Sequence, residues 1–450
     1  MKKTIKYILA GILFAPLFFI TSCNKDINDI NKINPNEFSD SDPKLMITGA
    51  QLANVMLNEG EAARLACIFA GQFTGYDRQY VSYGQYNMTS GDFNSPWEEL
   101  YSKGVGQCKL IRAKAITAND KVLEGVAMIT EANLLLTTSS LWGDIPSSQA
   151  CVEGINTPIY DKMSDVYTYC IGLLDSAIVK VGTSNKYAAA YAGTFTWKEV
   201  ANTLKARALL HKKDYVGAIA AATDGVSAGN DFYAKHETAA PGAWNIYYDF
   251  LDWNRSGYIS CEGSHMFALL DSASTKNKRN AKTDETARFA NYFLVDADAP
   301  YSAVDPNMYG GIFDAQANFE LVGNNENELI LAECYARTSN DTKALEHLNM
   351  VRKAHDDKFG PGLYSDYVST DPQVSDNAKL LKEILTEKYV SLFGQIEAFN
   401  DIRRTKNLIG IPINNGTTLP GKFLYPQSEI NSNPNTPAPG TLFDAVELFK

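Results

Sequence analysis

Residues 384–404 read ILTEKYVSLFGQIEAFNDIRR. Ile384, Leu385, Tyr389, Leu392 and Phe393 fall mostly at three- and four-residue spacings, the apolar stripe of a helix, which leaves Glu383, Glu387 and Lys388 on or near the opposite face. Gly394, tolerant of positive φ, ends that helix. A second, shorter helix follows with Ile396, Phe399 and Ile402 inward and Arg403 and Arg404 near its end, where cations suit the helix dipole. Such a pair cannot bury its apolar faces alone and requires other helices to stack on.

Two upstream stretches repeat the pattern. Trp197, Val200, Ala201, Leu204, Ala208 and His211 share one stripe. Asp214 then opens a partner helix with Tyr215, Ala218, Ile219, Ala222 and Val226 inward and Gly229 as the stop. In the other, Leu329, Ala332, Tyr335 and Ala336 precede a break at Ser339, Asn340 and Asp341, and Ala344, Leu345, Leu348 and Val351 follow. Three hairpins of roughly 30–35 residues, with alanine at many close-approach positions, predict an all-α fold of tetratricopeptide-like helix pairs forming an α–α superhelix. A run of unrelated hairpins in an all-α protein is the alternative. Earlier helices are expected over 45–73, 97–118, from the N-cap Asp120 to about Ser140, and from the N-cap Ser164 to about Val181. Residues 231–324 have little helical period and many aromatic and turn residues, and insertions on a solenoid usually map to a binding face. From Asn407 the chain is rich in Pro, Gly and Asn and is expected to wrap over the surface.

The N-terminus is a targeting segment. Lys2, Lys3 and Lys6 precede a mostly apolar run from Tyr7 to Ile20, and Thr21 and Ser22 lead to Cys23. Small residues before a cysteine resemble a bacterial lipoprotein cleavage site, which makes 1–22 a signal peptide and Cys23 the lipidated mature N-terminus. Residues 23–43 then form an Asn- and Asp-rich tether, about 25 Å long as a flexible coil and ~70 Å fully stretched. Residues 44–450 are expected to be a single domain carrying the 231–324 insertion.

Without residues 1–22 the chain keeps 38 basic against 52 acidic side chains, a net charge of −14. That argues against nucleic acid as a partner, and against anionic headgroups beyond the lipid anchor. The mature cysteines include no C-x-x-C and no C-x-x-C-H, which argues against cysteine-held metal, haem and thioredoxin-like sites, and a Cys151–Cys170 bridge is possible without being forced. The chain is rich in tyrosine, with 24 copies, an amphipathic side chain suited to wet contact surfaces.

Four segments resemble the SusD/RagB family of outer-membrane lipoproteins, in its divergent SusD-like branch: LWGDIPSSQA (141–150), W-x-x-x-A-N-T-L-x-A-R (197–207), EKYVSLFGQIEAFNDIRRT (387–405) and FLYPQSEINSNPN (423–435). Asn34-Pro35-Asn36 after the lipidation site is also similar. The resemblance implies a helical core of four tetratricopeptide-like pairs with a loop-rich insertion, and a role in binding without catalysis. It implies as partner a SusC-like TonB-dependent barrel in the outer membrane, over which such proteins sit as a lid. The ligand it implies is a glycan or a peptide, on a cell-surface-facing, lipid-anchored protein.

A sugar ring offers an apolar face to Trp or Tyr while its hydroxyls need polar side chains nearby. Two stretches supply both. One contains Tyr76, Asp77, Arg78, Tyr80 and Tyr83, the other Trp244, Tyr247, Tyr248, Trp253 and Asn254. The alternative is that these rings pack loops on the core, as Trp97, Trp142 and Trp197 are expected to do. Substituting Trp253 or Tyr80 by alanine is therefore expected to weaken ligand retention without unfolding the chain. Candidate carboxylates for a secreted helical glycosidase, the competing class, are Asp92, Asp144, Asp249, Asp252, Glu326 and Glu328. Asp296, Asp298 and Asp305 are candidates for a structural Ca²⁺, without EF-hand spacing. The five histidines lack a metal-ligand spacing, no Gly-rich phosphate loop or G-x-S-x-G occurs, and no other cofactor is expected.

Overall fold

The computed structural model describes residues 41–237 and 243–450. The signal peptide, Cys23 and the tether up to residue 40 lie outside the described residues. The helical pattern over 45–73 divides at Gly60 into α1 (Pro43–Glu59) and α2 (Glu61–Phe69). A Cβ at Gly60 would sit 2.3 Å from the Met56 carbonyl oxygen, so the two helices meet there only because the residue is glycine.

Nine further helices of eight residues or more follow among the described residues: α3 (Gly106–Thr117), α4 (Lys121–Trp142), α5 (Met163–Val181), α6 (Trp197–His211), α7 (Tyr215–Ala222), α8 (Asn324–Arg337), α9 (Asp341–Phe359), α10 (Asn377–Ser391) and α11 (Ile396–Arg404). The fold is mostly helical, as the periodicity predicts. Side-chain caps fix several starts: Asp120 Oδ1 accepts from the Leu123 amide at 3.0 Å, Asp214 Oδ1 from Gly217 at 2.9 Å, and Thr196 and Glu199 form a capping box. Ser164 is not a cap. Helix α5 begins one residue earlier, and the amides of Met163 and Ser164 instead donate to the distant carboxylates of Asp144 and Glu447, both at 3.1 Å. Helix α7 stops at Ala222, short of Gly229, although Val226 is still buried.

Successive helices stack as antiparallel pairs. Helix α4 packs between α3 and α5, α6 against α5 and α7, and α8 against α7, α9 and α10, while α11 lies on α2, α4 and α10. Between α7 and α8 the described residues make short helical turns and short antiparallel strands. Two earlier strands join them, so that among the described residues β1 (Thr74–Gly75) pairs with β4 (Ile259–Ser260), β2 (Tyr191–Ala192) with β3 (Phe232–Ala234), which also pairs with β7 (Phe319–Val322), and β5 (Phe293–Val295) with β6 (Val304–Pro306).

The C-terminal tail runs over the surface, with most of its residues exposed, but it is pinned by buried anchors. Phe423, Leu442, Val446 and Phe449 are buried, and Trp142 Nε1 donates to the Leu424 carbonyl at 2.8 Å while the Phe423 amide donates to Leu141. Arg403 ties this junction to α11, donating to the carbonyls of Ser140 (2.7 Å) and Gly421 (2.9 Å). Segments 141–150, 387–405 and 423–435 thus converge on one place.

Helix α10 differs from the expectation in its polar face. Glu387 and Lys388 are 1% and 0% exposed because neighbouring elements cover that face and supply counter-charges. Lys388 meets Asp401 at 3.1 Å; Glu387 accepts from Arg288 at 2.8 Å and also pairs with Lys278 and His355. Arg404 donates to Glu333 (2.6 Å) and Asp401 (2.7 Å), and Arg207 grips Glu326 through two bonds of 2.6 and 2.7 Å.

These pairs shape acid stability. Burial pushes the Glu285, Glu333, Glu387 and Glu397 carboxyls up, but their arginine, lysine and histidine neighbours outweigh it, leaving Glu285 near 2 and the other three low as well. Each contributes stability that is complete above the ordinary glutamate value of 4.5 and is lost as pH falls below it, about 1.4 kcal/mol per pH unit per group. Burial also lowers His265 and His355 to about 4, which removes stability as pH falls from 6.5. It raises Glu320 to about 7 and Glu383 upward, and those two act in the opposite sense above 4.5. The urea midpoint is expected to vary little between pH 6.5 and 4.5 and to drop steeply from 4.5 to 3. A midpoint at pH 3 equal to that at pH 6 would refute this account.

Candidate functional site

The aromatic surface is built on residues 244–255. Asn245, fully buried, turns the chain: its side-chain oxygen accepts the amides of Tyr247 (2.9 Å) and Tyr248 (3.2 Å), and its amide nitrogen donates to the Ala317 carbonyl. A helical turn over Ile246–Tyr248 runs into a wider π-type turn over Asp249–Asn254. That winding sends Tyr247, Phe250 and Leu251 into the core and leaves Trp244, Tyr248, Asp252 and Trp253 at the surface. Trp253 is 65% exposed and meets Trp244 edge-on, with ring centres 5.7 Å apart; Trp244 meets Tyr248 the same way at 5.5 Å.

Asp252 organises two more rings. Its Oδ1 accepts the hydroxyls of Tyr301 at 2.8 Å and Tyr309 at 2.5 Å, and Tyr309 is 48% exposed. Partial burial pushes the Asp252 carboxyl up, but the hydroxyls of Tyr309, Tyr301 and Tyr248 outweigh it and hold it below the usual aspartate value. Asn254 donates to Asp249 at 2.5 Å, and the Arg255 guanidinium lies 5.9 Å over the Tyr258 ring. Trp244, Tyr248, Trp253, Tyr301 and Tyr309 therefore make a polar-rimmed platform around one carboxylate.

The earlier stretch reaches the same neighbourhood through the β1–β4 pair. The Tyr76 amide donates to the Tyr258 carbonyl at 2.9 Å, so Tyr76, Asp77 and Arg78, all exposed, lie beside the Arg255–Tyr258 turn. Gly75 is required there, since a Cβ would fall 1.7 Å from the Tyr80 carbonyl oxygen.

Three residues expected at the ligand surface are elsewhere. The helical turn Gln79–Gly84 points Tyr80 and Tyr83 inward, where their hydroxyls donate to Glu61 (2.7 Å) and Asp92 (2.9 Å), and Tyr80 packs on Phe250 and Tyr258. Tyr247 is fully buried, with its hydroxyl on the Gly394 carbonyl at 2.7 Å. These tyrosines are struts under the platform. Tyr301 and Tyr309 carry no local sequence signal of a site beyond their place in the aromatic-rich insertion, and Asp252 reads from sequence as an acid alone.

The carboxylates expected of a glycosidase are already engaged. Asp92 serves Tyr83 and Thr89, Asp144 pairs with Lys162, Asp249 holds Asn254, Glu326 holds Arg207 and Glu328 meets His347 at 2.6 Å. Of the calcium candidates, Asp296 and Asp298 sit on an exposed turn, while buried Asp305 accepts the amides of Tyr301 and Ser302. Among the described residues no three His, Cys, Asp or Glu side chains converge as a metal site would require. Cys151 is exposed and Cys170 is buried in α5, and both are free thiols. Two concavities, about 480 and 600 Å³, are lined by Glu61, Arg64 and Asp92 and by Trp97, Tyr101 and Ile155, and neither includes Trp244 or Trp253. Among the described residues the platform lies open to solvent at Trp253 and Tyr309.

A family model described as SusD-like, "starch-binding associating with outer membrane", matches residues 35–426. The chain belongs to the SusD-like family. Solved structures repeat the SusD-like fold over nearly the whole molecule. A SusD/RagB family protein from Bacteroides thetaiotaomicron is 19% identical with a TM-score of 0.67, covering 87% of this chain and 94% of that one. A chitin-binding SusD homolog from Flavobacterium johnsoniae is 16% identical with a TM-score of 0.70, covering 90% and 99%. At these identities the likeness speaks for the fold alone. No curated protein matches this SusD-like sequence. Among the described residues no helix is long and apolar enough to cross a membrane.

The division into struts and surface rings has a direct consequence for the SusD-like chain. Tyr80→Ala is expected to cost about 3–5 kcal/mol, as large buried aromatic truncations do, whereas Trp253→Ala should cost less than about 1 kcal/mol. Urea unfolding of the two variants checks this, and equal losses would reverse the assignment.

Proposed function

We propose that this SusD-like protein captures an oligosaccharide on the Trp244–Trp253 platform and delivers it to a SusC-like TonB-dependent barrel in the outer membrane. The observation that carries the reading is Trp253, a large ring left 65% exposed yet fixed by Trp244 and flanked by Asp252, Asn254 and two tyrosines. An exposed ring in a loop-rich insertion stabilises no core; it suits the apolar face of a pyranose, with hydroxyls answered by the carboxylate and amide beside it. Tyr76, Asp77 and Arg78 extend the same surface. The family's description as starch-binding and the chitin-binding homolog favour a glycan over a peptide. On this reading the protein binds without catalysis, and lipid on Cys23 holds it to the membrane while the tether lets it swing over its barrel.

Trp253→Ala and Trp244→Ala should each lower affinity for the retained glycan by about 1–2 kcal/mol, five- to thirtyfold, measured by affinity electrophoresis against an array-identified ligand. Unchanged affinity in both variants sinks the platform assignment, and retention of peptides with no glycan sinks the ligand class. Mild detergent should extract the protein from cells together with a TonB-dependent barrel, and Cys23→Ser should leave it in the soluble fraction without one. A membrane-retained Cys23→Ser variant, or extraction without a barrel, would count against anchoring or delivery respectively.

A further inference from the structure

The rings on this platform share their surface with acids. Asp252 stands between Tyr301 and Tyr309, Asp249 is three residues back on the same turn, and Asp314 acts electrostatically on Tyr248 from the Gly310–Gln316 loop. Of the two arginines nearby, Arg255 is drawn to the side, over Tyr258 and onto the Asn254 carbonyl at 2.9 Å, and Arg78 is paired with Asp77 at 3.6 Å. We propose that Asp252 sets the charge class of the glycan: neutral and amine-bearing sugars are accepted on the rings, and uronic-acid or sulfated sugars are refused. The inference rests on the platform being the glycan surface.

The argument is one of position. Asp252 already accepts three tyrosine hydroxyls, those of Tyr301 and Tyr309 on Oδ1 and that of Tyr248 beside them, but a carboxylate offers about four acceptor sites and donates nothing when ionised. What it adds to a sugar stacked on Trp253 is therefore an acceptor for hydroxyl, amide or ammonium N–H, never a donor for a carboxylate or sulfate. An ammonium on the sugar gains twice, from the carboxylate and from the electron-rich ring faces of Trp244 and Trp253. A uronate placed there meets like charge at close range, and the protein's overall negative charge adds to the repulsion at low salt. Asp252 stays ionised well below neutral pH, so the preference holds wherever the fold does. Tyr301 and Tyr309 are fixed by the same carboxylate, which makes Asp252 both a contact for the sugar and a positioning residue for the rings.

Three β-1,4-linked hexasaccharides test this with the full-length protein in detergent: glucose, glucosamine and glucuronic acid units on one backbone. At low salt the glucosamine chain should bind at least about tenfold tighter than the glucuronic acid chain, with glucose between, and the ratio should shrink in 0.5 M salt. Asp252→Asn should reduce the ratio several-fold. A loss shared by all three ligands reports loosened tyrosines and cancels in the ratio, and Asp252→Glu should restore it. Tighter binding of glucuronic acid, or a ratio unmoved by Asp252→Asn, overturns the inference while leaving the platform standing. If none of the three binds and a wider array finds only anionic ligands, charge selection is equally overturned; if the array finds no glycan at all, the platform reading falls and takes this inference with it.

Discussion

Helix α11 is nine residues long and buries its charges along with its apolar side. Glu397 meets His211 of α6 at 3.0 Å, Asp401 meets Lys388 of α10, and Arg404 reaches Glu333 of α8. Arg207 of α6, two-pronged on Glu326 of α8, closes the set 3.9 Å from Glu397. Helices α6, α8 and the α10–α11 pair, distant in sequence, are thereby joined by buried charges. Removing one partner of such a pair strands the other and costs about 3–5 kcal/mol, while replacing both with apolar groups is often neutral. The network is therefore better understood as a register device than as a source of net stability. Apolar stripes alone tolerate sliding; a bidentate Arg207–Glu326 contact does not.

That frame is what holds the ring-bearing loops still. The turn between α10 and α11 presents the Gly394 carbonyl to the Tyr247 hydroxyl and its amide to Gln72 at 3.0 Å. Gly394 has φ +85°, and a Cβ there would press on Phe313 at 3.0 Å, so glycine serves both the turn and the close packing of the insertion. Phe73, Phe313, Phe319 and Phe393 then surround Tyr247 or one another with centroids within 6 Å. Because Tyr247 is the inward residue of the very turn that carries Trp244 and Trp253, a fixed helical core becomes a fixed pair of surface rings. The insertion lacks long regular structure yet is anchored at its centre.

Much of this was legible in the sequence. The 3.6-residue period of 197–211, 329–351 and 384–402 gives the helix pairs, and Asp120, Asp214 and Gly394 mark real helix ends. What failed shares one cause. Periodicity says which face is apolar but not what lies across the other, so Glu387 and Lys388 were read as solvated although their partners, Arg288, Lys278 and Asp401, come from other elements. The same blindness treated Tyr80, Tyr83 and Tyr247 as equals of Trp253. A tyrosine in a loop is ambiguous until its hydroxyl is placed, and theirs end on Glu61, Asp92 and Gly394. Tyr301 and Tyr309 join the platform through Asp252, a contact across about fifty residues that no local pattern encodes. Ser164 has no capping role because the helix starts at Met163, where Asp144 and Glu447 take the first two amides and leave Ser164 inside the first turn.

The open form of the platform also bears on what it can do with a ligand. An enclosed cavity buries most of a small ligand's surface and holds it for long times. Rings standing on a surface bury one face of each sugar, leave the other in water, and contribute about 1–2 kcal/mol apiece. A polymer crossing several such rings is held by their sum, but each contact can open alone, so release proceeds stepwise along the chain. Since affinity differences are mostly differences in off-rate, shallow contacts favour letting go. A protein whose proposed task is to pass its ligand onward gains from that arrangement, and fixing the rings from below, through Tyr247 and Asp252, keeps the ordering cost of each encounter small. Rigidity under the surface and shallowness on it are thus two halves of one design, the first supplied by the helical stack and the second by the insertion it carries.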